Sequence, residues 1–392
     1  MPHMLKSNSF RAQDIHIHQD LLCTAPSALS RKRERKPGTE LQKEKEDKPG
    51  YAGCILCHPD VKKQKNPAGT IHEVSIPGKV SSFLNDYPYL PHEHRLYFLW
   101  SPDEQIRQPV CHKYRIGDFG PPEMYWLLRA CREDAKRFQL PPESADRLRL
   151  IAGFNIGDLA GQSVPHFHLQ SGWEVVLQPR EFTEPELSLY FRELHAEDLI
   201  VFENDRYRIV APWTPGGKYA VDFYFRGKNE ITQLHDDDLK TFAVVGEAIL
   251  RIYHKYLGIT NVNIVMRGSV KDCRTEPLQM HFVPRVNLAA MYEILGVNVV
   301  DTFPQSIAAE FRRAHIDPAR GEILPWYELF ESVHLFDPEA AFHARATALV
   351  GSGNAEGTRP QTIDPLAPLG NPSGGAVGRV VRRSKSSAAN SR

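Results

Sequence analysis

The chain has 392 residues, is 41% hydrophobic and 24% charged, and carries equal numbers of acidic and basic side chains. This composition is typical of a soluble globular protein, and the zero net charge argues against nucleic acid as the main partner. No apolar run approaches the roughly 18 residues that a membrane span needs, and the N-terminus has no signal-peptide pattern, so we predict a cytoplasmic protein without a membrane partner.

Both ends of the chain are polar and lack hydrophobic periodicity. Residues 1–50 contain a basic cluster at 31–36 and a mixed charge run at 40–48. We predict a flexible N-terminal arm there, because such compositions cannot bury enough apolar surface. The basic cluster fits either a nuclear localisation signal or a solvated tail, and we favour the tail. Residues 346–392, rich in Gly, Ser, Ala, Pro and Arg, are predicted to be a disordered tail.

The hydrophobic pattern between the tails indicates two domains, at 51–190 and 191–345, with the same order of elements. In the first we predict strands at 80–84 and 95–100, a helix at 121–138, and strands at 148–154 and 166–177. In the second we predict strands at 199–202, 207–211 and 220–225, a helix at 237–256, and strands at 262–266 and 279–284. The fold class that follows is α+β, with duplicated domains of antiparallel sheet and helices packed on them.

The segment 154–170 carries the strongest chemical signal. His166, His168 and Gln170 alternate along a predicted strand, so their side chains point to one face. The loop before them contains Gly157, Gly161 and Ser163, and exposed N–H groups with a hydroxyl suit phosphate oxygens. Two incidental core histidines are the alternative interpretation; the spacing and the glycine-bearing loop favour the functional one.

A second signal is the pair Cys54 and Cys57. A two-residue spacing lets both thiolates reach one tetrahedral zinc ion. A redox pair is the alternative, although nothing nearby is typical of the helix that opens a thioredoxin-type site. We favour a structural zinc site.

These segments resemble the galactose-1-phosphate uridylyltransferases, a branch of the histidine-triad superfamily. The likeness runs from about Tyr51 to Arg313 and extends to diadenosine tetraphosphate and sugar-nucleotide phosphorylases. The motifs that carry it are Cys54-Ile55-Leu56-Cys57, Asn66-Pro67, Phe83-Leu84-Asn85-Asp86-Tyr87, the segment from Asn155 to Gln170, Leu278-Gln279-Met280-His281-Phe282-Val283-Pro284 and Tyr292-Glu293.

The resemblance implies a nucleotidyl-transferring enzyme in which His168 forms a covalent nucleotidyl intermediate and Gln170 binds its phosphoryl oxygens. It also implies a structural zinc cofactor on Cys54, Cys57 and His166. The family's fourth ligand position holds Glu104 here, and His92, His94 and His112 are alternatives. The implied substrate-binding residues are Asn85, Asp86, Asn155, Gly157, Gly161, Ser163, Tyr292 and Glu293.

Some of these residues also have plainer interpretations. Asn85 and Asp86 favour turns, and Tyr292 and Glu293 would also suit a surface helix. The family's second metal site is reduced to His281, since Arg267 and Gln279 occupy two of its positions, so we predict no second metal. Val299 replaces a polar residue that meets the sugar, and the family's N-terminal nucleotide motif is not recognisable in residues 1–50.

The sequence therefore predicts transfer of a nucleoside monophosphate from a sugar nucleotide, such as a UDP-sugar, to a phosphorylated acceptor. A glutamine cannot act as a general acid, so Gln170 disfavours a hydrolase. Two alternatives stay open: a phosphorylase of a sugar nucleotide or dinucleoside polyphosphate that uses inorganic phosphate, and a non-catalytic nucleotide-binding protein. The family likeness also implies a possible homodimer.

Overall fold

The structure is a computed structural model that describes residues 8–12, 15–19, 27–30, 50–139, 147–176, 183–212, 217–269, 277–286, 302–316 and 325–351. Tyr292, Glu293 and Val299 lie outside these residues, as do positions 352–392. The segment predicted as a flexible arm contains three short strands, β1 (Asn8–Ala12), β2 (Ile15–Gln19) and β3 (Ser27–Ser30), which form their own antiparallel sheet.

One antiparallel sheet of ten strands runs through both halves of the chain, in the order β4-β5-β6-β8-β7-β12-β13-β11-β10-β9. The strands of the first half are β4 (Glu73–Ile76), β5 (Val80–Leu84), β6 (His92–Leu99), β7 (Leu148–Ile156) and β8 (His168–Val175). Those of the second half are β9 (Ile200–Glu203), β10 (Tyr207–Val210), β11 (Val221–Phe225), β12 (Val262–Arg267) and β13 (Gln279–Pro284).

Helices pack on both faces of this sheet and link its parts. They are α1 (Pro59–Lys65), α2 (Glu104–Ile106), α3 (Pro121–Arg137), α4 (Glu184–Ala196), α5 (Asp236–Arg251), α6 (Pro304–Ile316), α7 (Trp326–Ser332) and α8 (Pro338–Gly351). The long helices α3 and α5 pack against each other. Pro121 starts α3, where a missing N–H costs nothing, and three aspartates start α5, where the helix dipole favours negative charge. Within the described residues, no helix has the length and hydropathy of a membrane span.

The chain thus contains the same β-β-β-α-β-β order twice, and the two halves meet at the seam between β7 and β12. Six residue pairs form this seam, from Ile151↔Arg267 to Ile156↔Val262. The fold is therefore α+β with an antiparallel sheet, as the sequence predicts, and both halves contribute strands to that one sheet. The predicted boundary at residue 190 falls inside α4, the helix that joins the halves.

The two faces of the central strands differ in burial. Phe154, Ile264 and Phe282 are fully buried, and Phe282 packs on Phe242 of α5. Residues that alternate with them, such as Gly153 and Val265, are only half-buried. We call this second face of β8, β7, β12 and β13 the site face, because His168, Gly153, Val265 and His281 lie on it.

A buried carboxylate fixes the start of α3. Glu123 is 1% exposed, accepts a hydrogen bond from the Gly120 N–H at 2.8 Å, and pairs with Lys113 and Arg345 of α8. Burial alone would raise the pKa of Glu123, but the two cations hold that pKa below its ordinary value. Lys113 in turn accepts a hydrogen bond at its carbonyl from the Phe167 N–H, so this ion pair supports the segment that leads into β8. His166 lies in that segment, before the strand begins at His168, whereas the sequence predicts a strand from residue 166.

Candidate active site and metal centre

His168 opens strand β8 with its imidazole in a defined tautomer. Its Nδ1 lies 2.7 Å from the carbonyl oxygen of His166. A carbonyl oxygen only accepts hydrogen bonds, so Nδ1 carries the hydrogen and Nε2 keeps its lone pair. The ring is therefore arranged with Nε2 as the basic and nucleophilic nitrogen.

Gln170 lies two residues further on the same face, and its amide faces that nitrogen. The side-chain Nε2 of Gln170 is 3.2 Å from Nε2 of His168, while its Oε1 accepts a hydrogen bond from the Tyr89 hydroxyl at 3.2 Å. Because Tyr89 donates to the oxygen, the NH₂ group is the end that faces His168. Sequence reasoning missed Tyr89, which follows the Asn85-Asp86-Tyr87 motif by only two residues.

The nucleophile candidate is well covered. His168 is 2% exposed, whereas Gln170 and the neighbouring Asn155 are half-buried. A phosphorus atom would have to approach Nε2 from the site face, on the side where Gln170 stands. The amide of Gln170 would then exchange its contact with Nε2 for one with a phosphoryl oxygen.

Four side chains meet beside this strand and form a candidate metal centre. The ligand atoms of Cys54, Cys57, His112 and His166 all lie within 4.8 Å of one another. Cys57 Sγ is 3.3 Å from Nδ1 of both histidines, and Cys54 Sγ is 3.6 Å from Nδ1 of His166. Zinc bonds of about 2.3 Å to sulfur and about 2.0 Å to nitrogen give a tetrahedron with S···N edges of about 3.5 Å. The four residues therefore fit a zinc ion.

The composition of this group differs from the sequence prediction at one position. Cys54, Cys57 and His166 are brought together, but Glu104 lies outside the group and is exposed at the start of α2. His112, which the sequence offered as an alternative, takes the fourth place. It follows a π-helical turn at Arg107–Cys111 that returns the chain toward the cysteines.

The two thiols are buried and joined by a hydrogen bond. The hydrogen bond from Cys57 holds the pKa of Cys54 far below its ordinary value, and the same bond raises the pKa of Cys57. Both side chains are at most 1% exposed. A buried thiolate without a cation is costly, so this pair is chemically suited to a bound metal.

The glycine-bearing loop before the strand is held by the second half of the chain. Gly157 and Gly161 have φ angles of 85° and 81°. Asn261 accepts a hydrogen bond from the Leu159 N–H at 3.0 Å, and Asn263 donates to the Ala160 carbonyl at 2.8 Å.

Several of the loop's N–H groups already have partners inside the loop. The N–H of Gly157 donates to Gln162 Oε1, that of Gly161 to the Asp158 carbonyl, and that of Gln162 to the Gly157 carbonyl. The predicted phosphate cradle is thus left with fewer donors than the sequence indicates. Ser163, a predicted phosphate-binding residue, is exposed after the loop.

Asn155, another predicted substrate-binding residue, accepts a hydrogen bond at Oδ1 from Asn263 Nδ2 at 2.7 Å across the seam. Asp86 is bonded at both oxygens, to the Lys62 ammonium at 2.8 Å and the Thr70 N–H at 2.7 Å. Asp86 therefore fixes the chain around Thr70.

Asn85 likewise makes contacts within its own turn. Its Oδ1 accepts from the Tyr87 N–H at 2.9 Å, and its Nδ2 lies 3.3 Å from His94. These contacts match the turn interpretation of the motif.

No protein-family model matches the chain, and no curated protein does either. The solved structures that share its architecture include the following two. A GalT-like protein from Arabidopsis thaliana is 18% identical with a TM-score of 0.51, over 68% of this chain and 93% of that protein. An ADP-glucose phosphorylase from Arabidopsis thaliana with bound ADP-glucose is 16% identical with a TM-score of 0.52, over 76% of this chain and 98% of that protein. At these identities the likeness concerns the fold alone, and the chain shares the overall architecture of these two proteins.

Proposed function

We propose that the protein transfers a nucleoside monophosphate from a sugar nucleotide to a phosphorylated acceptor through a nucleotidyl-His168 intermediate. The observation that carries the proposal is the 2.7 Å bond from His168 Nδ1 to the His166 carbonyl oxygen, with the Gln170 amide 3.2 Å from Nε2. This arrangement gives an uncharged imidazole with a directed lone pair, which is what attack on an anionic phosphate requires.

In the first step, Nε2 of His168 forms a bond to the α-phosphorus while the bond from that phosphorus to the bridging oxygen breaks. The sugar phosphate leaves with the electron pair of that bond. The imidazole ring becomes cationic, and its Nδ1–H then makes a charge-assisted hydrogen bond to the His166 carbonyl. Gln170 donates to a non-bridging oxygen of the bound phosphoryl group.

In the second step, a phosphate oxygen of the acceptor forms a bond to the same phosphorus and the N–P bond breaks. The lone pair returns to Nε2 and the ring is again neutral. Gln170 cannot supply a proton, so the leaving group has to be stable as an anion. Phosphate monoesters meet this condition. Gln170 therefore favours a transferase over a hydrolase.

The metal centre has a positioning part in this scheme. Cys54, Cys57, His112 and His166 would hold a zinc ion with four protein ligands, and such a closed site supplies structural rigidity. His166 also provides the carbonyl that orients His168. Fixing the backbone of His166 therefore fixes the tautomer and direction of the nucleophile.

A phosphorylase, with inorganic phosphate as the acceptor, uses the same first step. It is supported by the likeness in fold to the ADP-glucose phosphorylase. Inorganic phosphate would attack the nucleotidyl-histidine and release a nucleoside diphosphate. The two candidates differ only in the acceptor of the second step.

Intact-mass measurement tests both candidates. The protein is mixed with UDP-glucose, ADP-glucose and diadenosine tetraphosphate separately, and one nucleotide should add the mass of its nucleoside monophosphate minus water. His168→Asn should abolish this adduct, whereas His195→Asn, which changes an exposed histidine paired with Glu203, should retain it.

The acceptor is then identified by adding inorganic phosphate or a sugar phosphate to the isolated adduct. If inorganic phosphate removes the nucleotidyl group from the adduct and the sugar phosphate does not, the protein is a phosphorylase. If only the sugar phosphate removes it, the protein is a transferase. If wild-type protein binds nucleotides but forms no adduct with any of them, the catalytic proposal is wrong and a non-catalytic nucleotide-binding protein remains.

A further inference from the structure

The second half of the sheet has its own histidine on the site face. His281 in β13 donates from Nδ1 to Oδ1 of Asp222 in the neighbouring strand β11 at 2.8 Å, and Tyr224 donates to the other carboxylate oxygen at 3.3 Å. The side chain of Asp222 is 5% exposed and that of His281 is 29% exposed. The carboxylate is thus buried beneath an imidazole that reaches the surface.

This pair leaves one nitrogen of His281 available. Asp222 accepts at Nδ1, so the neutral ring keeps its lone pair at Nε2. Within the described part of the chain, Nε2 of His281 makes no hydrogen bond. A buried aspartate that orients a half-exposed histidine is more than packing requires, because an apolar pair in these strands would avoid the cost of burying the carboxylate.

His281 occupies a defined place relative to the proposed active site. Cross-strand pairing joins Gln170 to Gly153, Gly153 to Val265, and Val265 to His281. Directly paired residues of antiparallel strands point to the same face, so these four lie in one row on the site face. Three strand spacings separate the backbones of Gln170 and His281, which is about 14 Å.

The two residues between the ends of this row, Gly153 and Val265, are small. Gly153 has no side chain, and a Cβ there would lie 2.5 Å from the Ile264 carbonyl oxygen, so the backbone itself requires glycine. Val265 is half-buried. A molecule held at His168 by its α-phosphorus can extend along this row toward His281, whereas inorganic phosphate is too small to reach both ends.

We propose that His281, oriented by Asp222, binds a hydroxyl group at the end of the substrate that is distant from the reacting phosphorus. Nε2 of a neutral imidazole accepts from a hydroxyl, and the half-exposed Gln279 on the same strand offers a second polar partner. The inference rests on the proposed function for the identity of the substrate. The hydroxyl group belongs to the sugar of a nucleoside diphosphate sugar or to the far ribose of a dinucleoside polyphosphate.

Calorimetric binding on a His168→Asn background tests this subsite without turnover. The titrants are UDP-glucose and ADP-glucose with UDP and ADP as sugar-free controls, and diadenosine tetraphosphate with ATP as its control. His281→Ala should weaken the sugar- or dinucleoside-containing ligand about tenfold and leave its shorter control within about twofold. The ligand pair that shows the difference identifies the source of the hydroxyls.

Two further variants serve as controls for the effect of His281→Ala. His281→Asn keeps a donor for Asp222 but is too short to reach the ligand, so it should reproduce the selective loss even if His281→Ala does not fold. His195→Ala, in another histidine–carboxylate pair, should change neither affinity.

Equal loss for a ligand and its control, or no loss for any ligand, would overturn the subsite. Absence of nucleotide binding throughout would overturn it as well. A selective loss without an adduct on wild-type protein would retain the subsite and reject the catalytic proposal. An adduct on wild-type protein without a selective loss of affinity in His281→Ala would support the catalytic proposal and reject the subsite.

Discussion

The two glycines of the loop before the nucleophile provide a sharp test of how that loop is held. Both have φ near +80°, but their surroundings differ. A Cβ at Gly157 would lie 2.2 Å from Oδ1 of Asn261 and 2.9 Å from the Thr260 carbonyl oxygen, whereas a Cβ at Gly161 would have no neighbour within 4 Å. Substituting alanine at each position therefore separates backbone strain from crowding.

The expected costs follow from these contacts. A left-handed backbone costs a residue with a side chain about 1–2 kcal/mol, and Gly161→Ala should show only this term. Gly157→Ala adds displacement of Asn261, which breaks its 3.0 Å bond from the Leu159 N–H, worth about 0.5–1.5 kcal/mol. We expect Gly157→Ala to lower the free energy of unfolding by about 1.5–3.5 kcal/mol, the sum of the two contributions.

Urea unfolding of both variants and the wild type measures these differences, with equal m-values as the condition for comparison. Asn261→Ala provides a further check, because Gly157→Ala should cost less on that background. Equal destabilisation by the two alanines would refute the idea that Asn261 and the second half hold the loop. The rate of adduct formation should fall more in Gly157→Ala than in Gly161→Ala.

Three further predictions concern the metal, the amide and an ion pair. His112→Ala should lower the zinc content measured by atomic emission, while Glu104→Ala should leave it unchanged; the opposite result would restore the ligand expected from the sequence. Tyr89→Phe should slow adduct formation about tenfold in quenched-flow mass analysis, because nothing then fixes which end of Gln170 faces the nucleophile, and an unchanged rate would exclude that role. Because the pKa of Glu123 is lowered in the folded state, the unfolded state binds a proton first as the pH falls. The stability present above the ordinary glutamate pKa of about 4.5 is therefore lost as the pH drops toward the folded value. Glu123→Gln should flatten this part of the plot of stability against pH, and an unchanged slope would contradict the role of Glu123.

Much of the fold follows from local patterns in the sequence. Strands β5 and β13 have the predicted bounds, and α3 ends one residue before the predicted position. Strand β6 starts at His92, three residues earlier than predicted, because the alternation of polar and apolar residues is weak before Arg95. The seam between β7 and β12 was not predicted, since pairing between distant strands leaves no local signal.

Some features of the candidate site follow from local sequence spacing, and others depend on how distant segments fold together. His168 and Gln170 are two residues apart, so their common face follows from strand periodicity. The choice of His112 over Glu104 depends on how a π-helical turn directs the chain, which spacing alone does not specify.

The residues that hold the glycine loop were also not predicted. Asn261 and Asn263 follow the loop by about a hundred positions and belong to the other half of the chain. Their role becomes visible only when the two halves share a sheet. The same is true of Asp222 and His281, whose pairing depends on the register between β11 and β13.

The seam between β7 and β12 frees the chain from a constraint that a symmetric dimer would face. Two identical subunits joined through such strands repeat every contact about their symmetry axis, residue i with j and j with i, so any change is made twice. In this covalently joined pair the contacts occur once each: Asn155 pairs with Asn263, and two pairs away Gly153 pairs with Val265. Each half can therefore change its residues independently of the other.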